Sequence, residues 1–126
     1  MSGNRKAINL IGMAHRGGNT AVGRKPVRDS VHRRRAARIF LAADAGQAVD
    51  AEMRTLCDEH GVPLSELGDK KALGRALGRS EVAVVAVTDR GLAGTIVRAM
   101  RRNGEHSEGG AAGGRASSGN AVRRQV

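Results

Sequence analysis

The chain has 126 residues, with 22 Lys and Arg against 12 Asp and Glu, for a net charge of +10. That length suits a single domain, and the charge points to an anionic partner, of which nucleic acid is the commonest. Phe40 is the lone aromatic residue in a chain that is 40% apolar, so the core must be aliphatic and RNA recognition by stacking on exposed Phe or Tyr is excluded.

In chain order, Ala7, Ile8, Ile11 and Ala14 recur at helical spacing and predict a first helix over 4–15, ended by Gly17-Gly18. Thr20-Ala21-Val22 reads as a short edge strand. Pro26 suits the first turn of a second helix over 24–36, with Val27 and Val31 as its apolar stripe. The run 39-IFLAA-43 is a buried strand. Val49, Met53, Leu56 and Cys57 mark a third helix that stops at Gly61, and Pro63 to Leu67 form a short strand. Asp69 can cap a fourth helix carrying Leu73 and Leu77. The unbroken apolar run 82-VAVVAV-87 predicts a strand buried on both faces. Thr88 or Asp89 then caps a last helix with Leu92, Ile96, Val97 and Met100. Strands alternating with helices give an α/β fold, a three-layer α/β/α sandwich around about four strands. From Arg102 the composition turns Gly/Ser/Ala-rich, so a domain of 1–101 is expected ahead of a disordered, mildly basic tail over 102–126.

Charge is unevenly placed. Residues 1–38 carry ten Lys/Arg against the single acid Asp29, residues 39–100 carry seven against nine, and 101–126 carry five against two. A basic first third on a near-neutral body is the pattern of a one-sided binding face. The lone cysteine cannot form an internal disulfide, which fits a reducing cytoplasm. Asn9 interrupts the first apolar run, so no export signal is expected. No stretch approaches the ~18 apolar residues of a membrane span.

The stretch 18-GNTAVGRK-25 lies one step from a nucleotide phosphate loop. That loop needs Lys directly after its second glycine, then a Ser or Thr for Mg²⁺, and it follows a buried strand. Here Arg24 and Lys25 hold those places and the stretch follows a helix, so a nucleotide enzyme is rejected. What remains is a cluster of cations. Arg24, Arg28 and Arg35 fall on one face of the expected helix, with Lys25 and His32 beside them. A glycine turn feeding a helix with Arg24, Lys25 and Arg28 in its first turns joins free N–H groups, the helix dipole and fixed charge in one anion-binding device. The plainer alternative is a solvated basic face. Cys57, at apolar spacing with Met53 and Leu56, is expected to be a core thiol. Cys57 and His60 are too few for a metal site, and His15, His32 and His106 are scattered, so no metal and no cofactor are expected. Asp44, Asp50 and Glu52 read as caps or solubilising groups with no partner for general-base work.

Together 9-NLIGMAHRGG-18, 56-LCDEHGVP-63, 73-LGRALG-78, 82-VAVVAV-87 and 86-AVTDRGLA-93 resemble the ribosomal L-seven-Ae family of kink-turn RNA binders, and its small bacterial YlxQ-like branch more closely. The resemblance spans about residues 5–100. It implies an α/β/α sandwich around a mixed four-stranded sheet, no catalysis, and an RNA-binding edge made of two places. One runs from Gly18 through Gly23 and Arg24 to Arg28; the other is the loop Arg79, Ser80, Glu81 and Val82. Where the kink-turn readers carry Asn-Glu after the glycine and Lys a helical turn later, this chain has Lys25, Pro26 and Asp29. Proline has no group to bond a base edge, whereas Lys25 and Arg28 suit phosphate or guanine O6/N7. The expectation is a monomeric, cytoplasmic, non-enzymatic protein that binds structured RNA, ribosomal RNA included, with Arg115, Arg123 and Arg124 of the tail adding nonspecific attraction. A protein-interaction module docking onto an acidic partner of the transcription or translation machinery is the second reading.

Overall fold

The structure is a computed structural model that describes residues 2–108, with side chains over 4–101. Five helices alternate with four strands: α1 (Ser2–Arg16), β1 (Thr20–Val22), α2 (Arg24–His32), β2 (Arg38–Leu41), α3 (Gln47–His60), β3 (Leu64–Glu66), α4 (Lys70–Leu77), β4 (Val84–Val87) and α5 (Arg90–Glu108). The strands form one mixed sheet in the order β1-β4-β2-β3. β4 runs antiparallel to both neighbours, pairing Val22 with Val85 on one side and Phe40 with Val85 on the other. β3 lies parallel to β2, with Phe40 opposite Ser65.

Alternation along the strands divides the core between two layers. Val22, Phe40, Ala42, Val85 and Val87 join Ile11, Leu73 and Ile96 under α1, α4 and α5. Ile39, Leu41, Val84 and Ala86 join Val27, Val31, Met53 and Leu56 under α2 and α3. All four residues of β4 are buried, as the run 82–87 requires, and α1 packs along α5 and across α4. The expected sandwich is therefore present.

Helix ends follow their local chemistry. The Asp69 carboxylate accepts a bond from Ala72 N–H at 2.8 Å, and Asp89, rather than Thr88, accepts one from Leu92 N–H at 2.9 Å. Gly18 takes φ 78° just past α1, where the Asn19 and Gly18 N–H groups bond back to the Ala14 and His15 carbonyls.

Two boundaries differ from the expected ones by more than two residues. α2 stops at His32 instead of 36, because Arg34 adopts φ 61° and the Arg34 and Arg35 N–H groups close back onto Val31 and Ser30. This is the usual helix-ending motif with arginine in the glycine position, so Arg35 is not on the face that carries Arg24 and Arg28. α5 continues to Glu108, seven residues past the expected domain edge at 101, since extending a packed helix needs no new nucleus. The rest of the expected tail, with Arg115, Arg123 and Arg124, lies outside the described residues.

Candidate nucleic-acid interface

β1, β2 and β3 all finish at the end of the sheet where β4 begins. The helices that follow them, α2, α3 and α4, therefore start there, and their dipoles bring positive ends to one place. These ends are not equivalent. α4 is closed by the chain's own carboxylates, Asp69 on Ala72 N–H and Asp44 on Lys70 N–H at 2.8 Å. α2 and α3 start from Gly23 and Gly46, and neither has a side-chain cap. With Pro26 lacking an N–H, the free donors of the first α2 turn are those of Arg24 and Lys25.

Gly23 fixes where that turn points. Its φ of 98° and ψ of 165° lie in a region closed to residues with a Cβ. Its N–H bonds the Val84 carbonyl at 3.0 Å, tying the start of α2 to the start of β4. Ala83, Val82 and Glu81 precede Val84 directly, so the turn and the loop 79–82 share one end of the sheet.

Arg24, Lys25 and Arg28 are brought together as expected, but two of the three are already paired. Arg24 Nε and Nη2 both donate to Glu52 Oε1, at 2.9 and 2.6 Å, and Arg28 Nη1 donates to Oε2 at 2.9 Å. Glu52, on the neighbouring α3, joins both guanidiniums while Arg24 Nη1 and Arg28 Nε and Nη2 make no hydrogen bond among the described residues. Such partly exposed pairs are each worth about 0.2–1 kcal/mol, too little to prevent an exchange for phosphate. Lys25 is exposed and forms no ion pair among the described residues. The i, i+4 spacing of Arg24 and Arg28 was legible; Glu52, 24 positions further along, carried no signal of the pairing.

The second place divides. Arg79, Ser80 and Glu81 are exposed, but Val82 is 4% exposed and belongs to the core, its N–H bonded to the Lys70 carbonyl at 3.0 Å. The Val82 side chain is thus unavailable to a ligand. A residue the sequence reading passed over sets the loop's position: Gly74 of α4, where a Cβ would lie 2.7 Å from the Ser80 carbonyl oxygen and 2.8 Å from that of Arg79. Gly18 is not part of this site. It precedes β1, and Thr88 N–H bonds the adjacent Asn19 carbonyl at 2.9 Å, which puts Gly18 at the opposite end of the sheet.

Residues 5–97 match the model of the ribosomal protein L7Ae/L30e/S12e/Gadd45 family. The chain belongs to this family. Among curated relatives, the RNA-binding protein YlxQ of Bacillus subtilis (strain 168) is 30% identical over 88 residues, covering 70% of this chain and 88% of that protein. A solved structure of a protein with unknown function from Bacillus halodurans C superposes with a TM-score of 0.72 at 26% identity, over 75% of this chain and 96% of the other. The Giardia lamblia 15.5kD RNA binding protein shares the fold at 23% identity, with a TM-score of 0.63 over 75% and 82% of the two chains.

In this L7Ae-family chain no helix among the described residues is long and apolar enough to cross a membrane, and no three His, Cys, Asp or Glu among them converge as metal ligands. Cys57 is 3% exposed in the α2–α3 core, as expected, and burial first, then the Asp58 charge, pushes its thiol up to about 12. A folded-state value above the unfolded one of about 8.5 means that the unfolded chain releases its proton first. Stability therefore falls as pH rises past that value and continues to fall toward 12. With no Tyr in the chain, Cys57→Ala should visibly flatten this alkaline limb in denaturant titrations from about pH 8 to about pH 11. An unchanged limb would remove the thiol from the account.

Proposed function

We propose that this chain binds structured RNA without catalysing a reaction on it. Arg24, Lys25 and Arg28 at the uncapped start of α2 grip phosphates. Gly23 allows close backbone approach, and Arg79, Ser80 and Glu81 border the same end. The observation that carries this reading is the convergence of three cations and free helix N–H groups beside Gly23, in a chain whose Bacillus subtilis relative is an RNA-binding protein. Ribosomal RNA is the first candidate and the monomer the working unit. Pro26 and Asp29 are exposed where a base-reading Glu and a Lys would be needed, so recognition rests on phosphates and shape. A kink-turn RNA is then expected to bind within about tenfold of a plain duplex of equal length, the free energy of a single modest base contact.

Salt titration of the Arg24→Ala, Lys25→Ala variant tests the assignment. Each lost phosphate contact lowers the slope of log K against log[salt] by about 0.7–0.9, so the pair should lower it by about 1.5. A slope and affinity equal to those of the unmodified chain would move the RNA elsewhere on the molecule. Retention of one acidic protein after ribonuclease treatment, with no RNA affinity, would favour the docking-module reading instead.

A further inference from the structure

The opposite end of the sheet holds a second concentration of positive charge. α1, α2 and α3 end there, and α5 begins. Between α2, β2, α3 and α5 lies an open cleft of about 850 Å³, lined by Arg34, Arg38, Arg90, Arg98 and Arg101, with Glu59 its one acid among the described residues. None of the five arginines forms an ion pair with a carboxylate among residues 4–101, whose side chains are described. Arg38 donates to the Ser65 hydroxyl at 2.7 Å and Arg98 to the Thr95 hydroxyl at 3.2 Å, both neutral partners. The first site, by contrast, already holds two of its three cations on Glu52.

The plain explanation is that cations gather at helix C-termini to complement the dipole. It falls short in magnitude. The C-termini of α2 and α3 bring roughly half a negative charge each. With Glu59 they offset about two of the five positive charges, and the start of α5 adds to the positive side. Burial first, and then the charge of Arg101, disfavours the charged form of Arg38, so Arg38 and Arg101 lie within reach of each other's field.

Arg34 supplies an independent sign. It sits at φ 61° in a helix-ending position that glycine occupies without strain. A side chain kept there against its backbone preference is the kind of local strain that accompanies functional positions.

We propose that this cleft is a second phosphate-binding site, which takes the backbone of an RNA strand other than the segment held at the start of α2. Guanidinium forks match phosphate oxygens two at a time, and five of them converge on one concavity. The volume lies within the about 300–1,000 Å³ of ligand clefts, the scale of one or two nucleotides. Pro63 and Val97 provide aliphatic wall for sugars and base faces. The two sites flank α2, Arg24 and Lys25 at its start and Arg34 just past its end. They lie at opposite ends of the sheet, about 13 Å of helix apart, so the phosphates held at one are not those held at the other. The protein would thus hold two RNA segments together. The idea rests on the RNA-binding reading above.

The test is native mass spectrometry of the full chain with a single-stranded RNA of about ten nucleotides, the scale of one strand-binding groove. The unmodified chain is expected to bind two RNAs. Arg34→Gly and Arg98→Ala/Arg101→Ala should each bind one, as should Arg24→Ala/Lys25→Ala, which loses the other site. Arg34→Gly should also raise the melting temperature, so a loss of RNA there cannot be blamed on misfolding. Two RNAs still bound by both cleft variants would overturn the proposal. So would ATP displacing RNA from the cleft at micromolar concentration, since the site would then serve a free nucleotide. If the Arg24/Lys25 variant keeps two RNAs while the cleft variants lose one, the cleft stands and the reading of the α2 start fails.

Discussion

Phe40→Ala is expected to lower the unfolding free energy by about 3–5 kcal/mol, the usual range for deleting a fully buried aromatic ring. Phe40 is the lone aromatic of the chain, sits on the interior strand β2 and is 0% exposed. It packs in the cluster of Ile11, Leu73, Leu77, Val85 and Ile96 that joins α1, α4 and α5 to the sheet. These neighbours are aliphatic, and those on β4 are fixed by ladder bonds on both edges of that strand. They cannot swing in to fill the space, so the cavity term adds to the lost transfer energy. Against a total of about 5–15 kcal/mol for a domain of this size, the loss is a large part of the whole. Guanidinium titration should show a lower midpoint with an unchanged slope. Phe40→Leu should recover most of it, leaving about 1.5 kcal/mol or less. An alanine variant within about 1 kcal/mol of the unmodified chain would mean that the two helical layers are held by other contacts.

The sequence motifs that mark the family turn out to be motifs of the fold. In 56-LCDEHGVP-63, Leu56 and Cys57 are core residues and Gly61 ends α3 at φ 69°. In 73-LGRALG-78, Leu73 and Leu77 are buried, Gly74 admits the next loop and Gly78 ends α4 at φ 73°. Asp89 in 86-AVTDRGLA-93 caps α5. Such features are legible because each is a local need met by a particular residue type. The ends of elements that rest on an unusual choice are not: Arg34 takes a conformation usual for glycine, so no residue type marks the end of α2. Sites proved harder than elements because they are assembled across the chain. Glu52 reaches Arg24 and Arg28 only because α2 and α3 cover the same face of the sheet. The cleft joins Arg34 and Arg38 to Arg90, Arg98 and Arg101, more than fifty positions later, because β2 and β4 are neighbours. Counted along the sequence, the last three lie in the slightly acidic middle or at its edge, where no basic run marks a face. Val82 failed in the reverse sense, an apolar residue at the margin of a binding loop that the core claims.

Gly74→Ala is expected to destabilise the protein by about 2–4 kcal/mol, although alanine in mid-helix ordinarily gains about 1 kcal/mol over glycine. The reason is the loop that follows α4. A Cβ at position 74 would stand 2.7 Å from the Ser80 carbonyl oxygen, 2.8 Å from that of Arg79 and 2.8 Å from the Glu81 Cα. All three are backbone atoms, so no side-chain rotation relieves the overlap, and helix and loop must part. Their separation strains the bonds that dock the loop, Arg79 N–H to the Gly74 carbonyl at 2.8 Å and Val82 N–H to the Lys70 carbonyl at 3.0 Å. Overpacking of this kind costs about 1–3 kcal/mol, and each weakened backbone bond adds about 1 kcal/mol. Val82 would be drawn from its core position, and Arg79 to Glu81 would leave the edge shared with Gly23. Amide exchange at Arg79 and Val82 should quicken, and RNA affinity should fall even where the variant remains folded. Gly94→Ala is the matched control. That helical glycine has only the flexible Arg98 guanidinium nearby, at 3.5 Å from an added Cβ, so alanine there should gain about 0.5–1 kcal/mol. A Gly74→Ala chain that melts at or above the temperature of the unmodified protein would show that the loop 79–82 is not held by α4, and would detach it from the proposed interface.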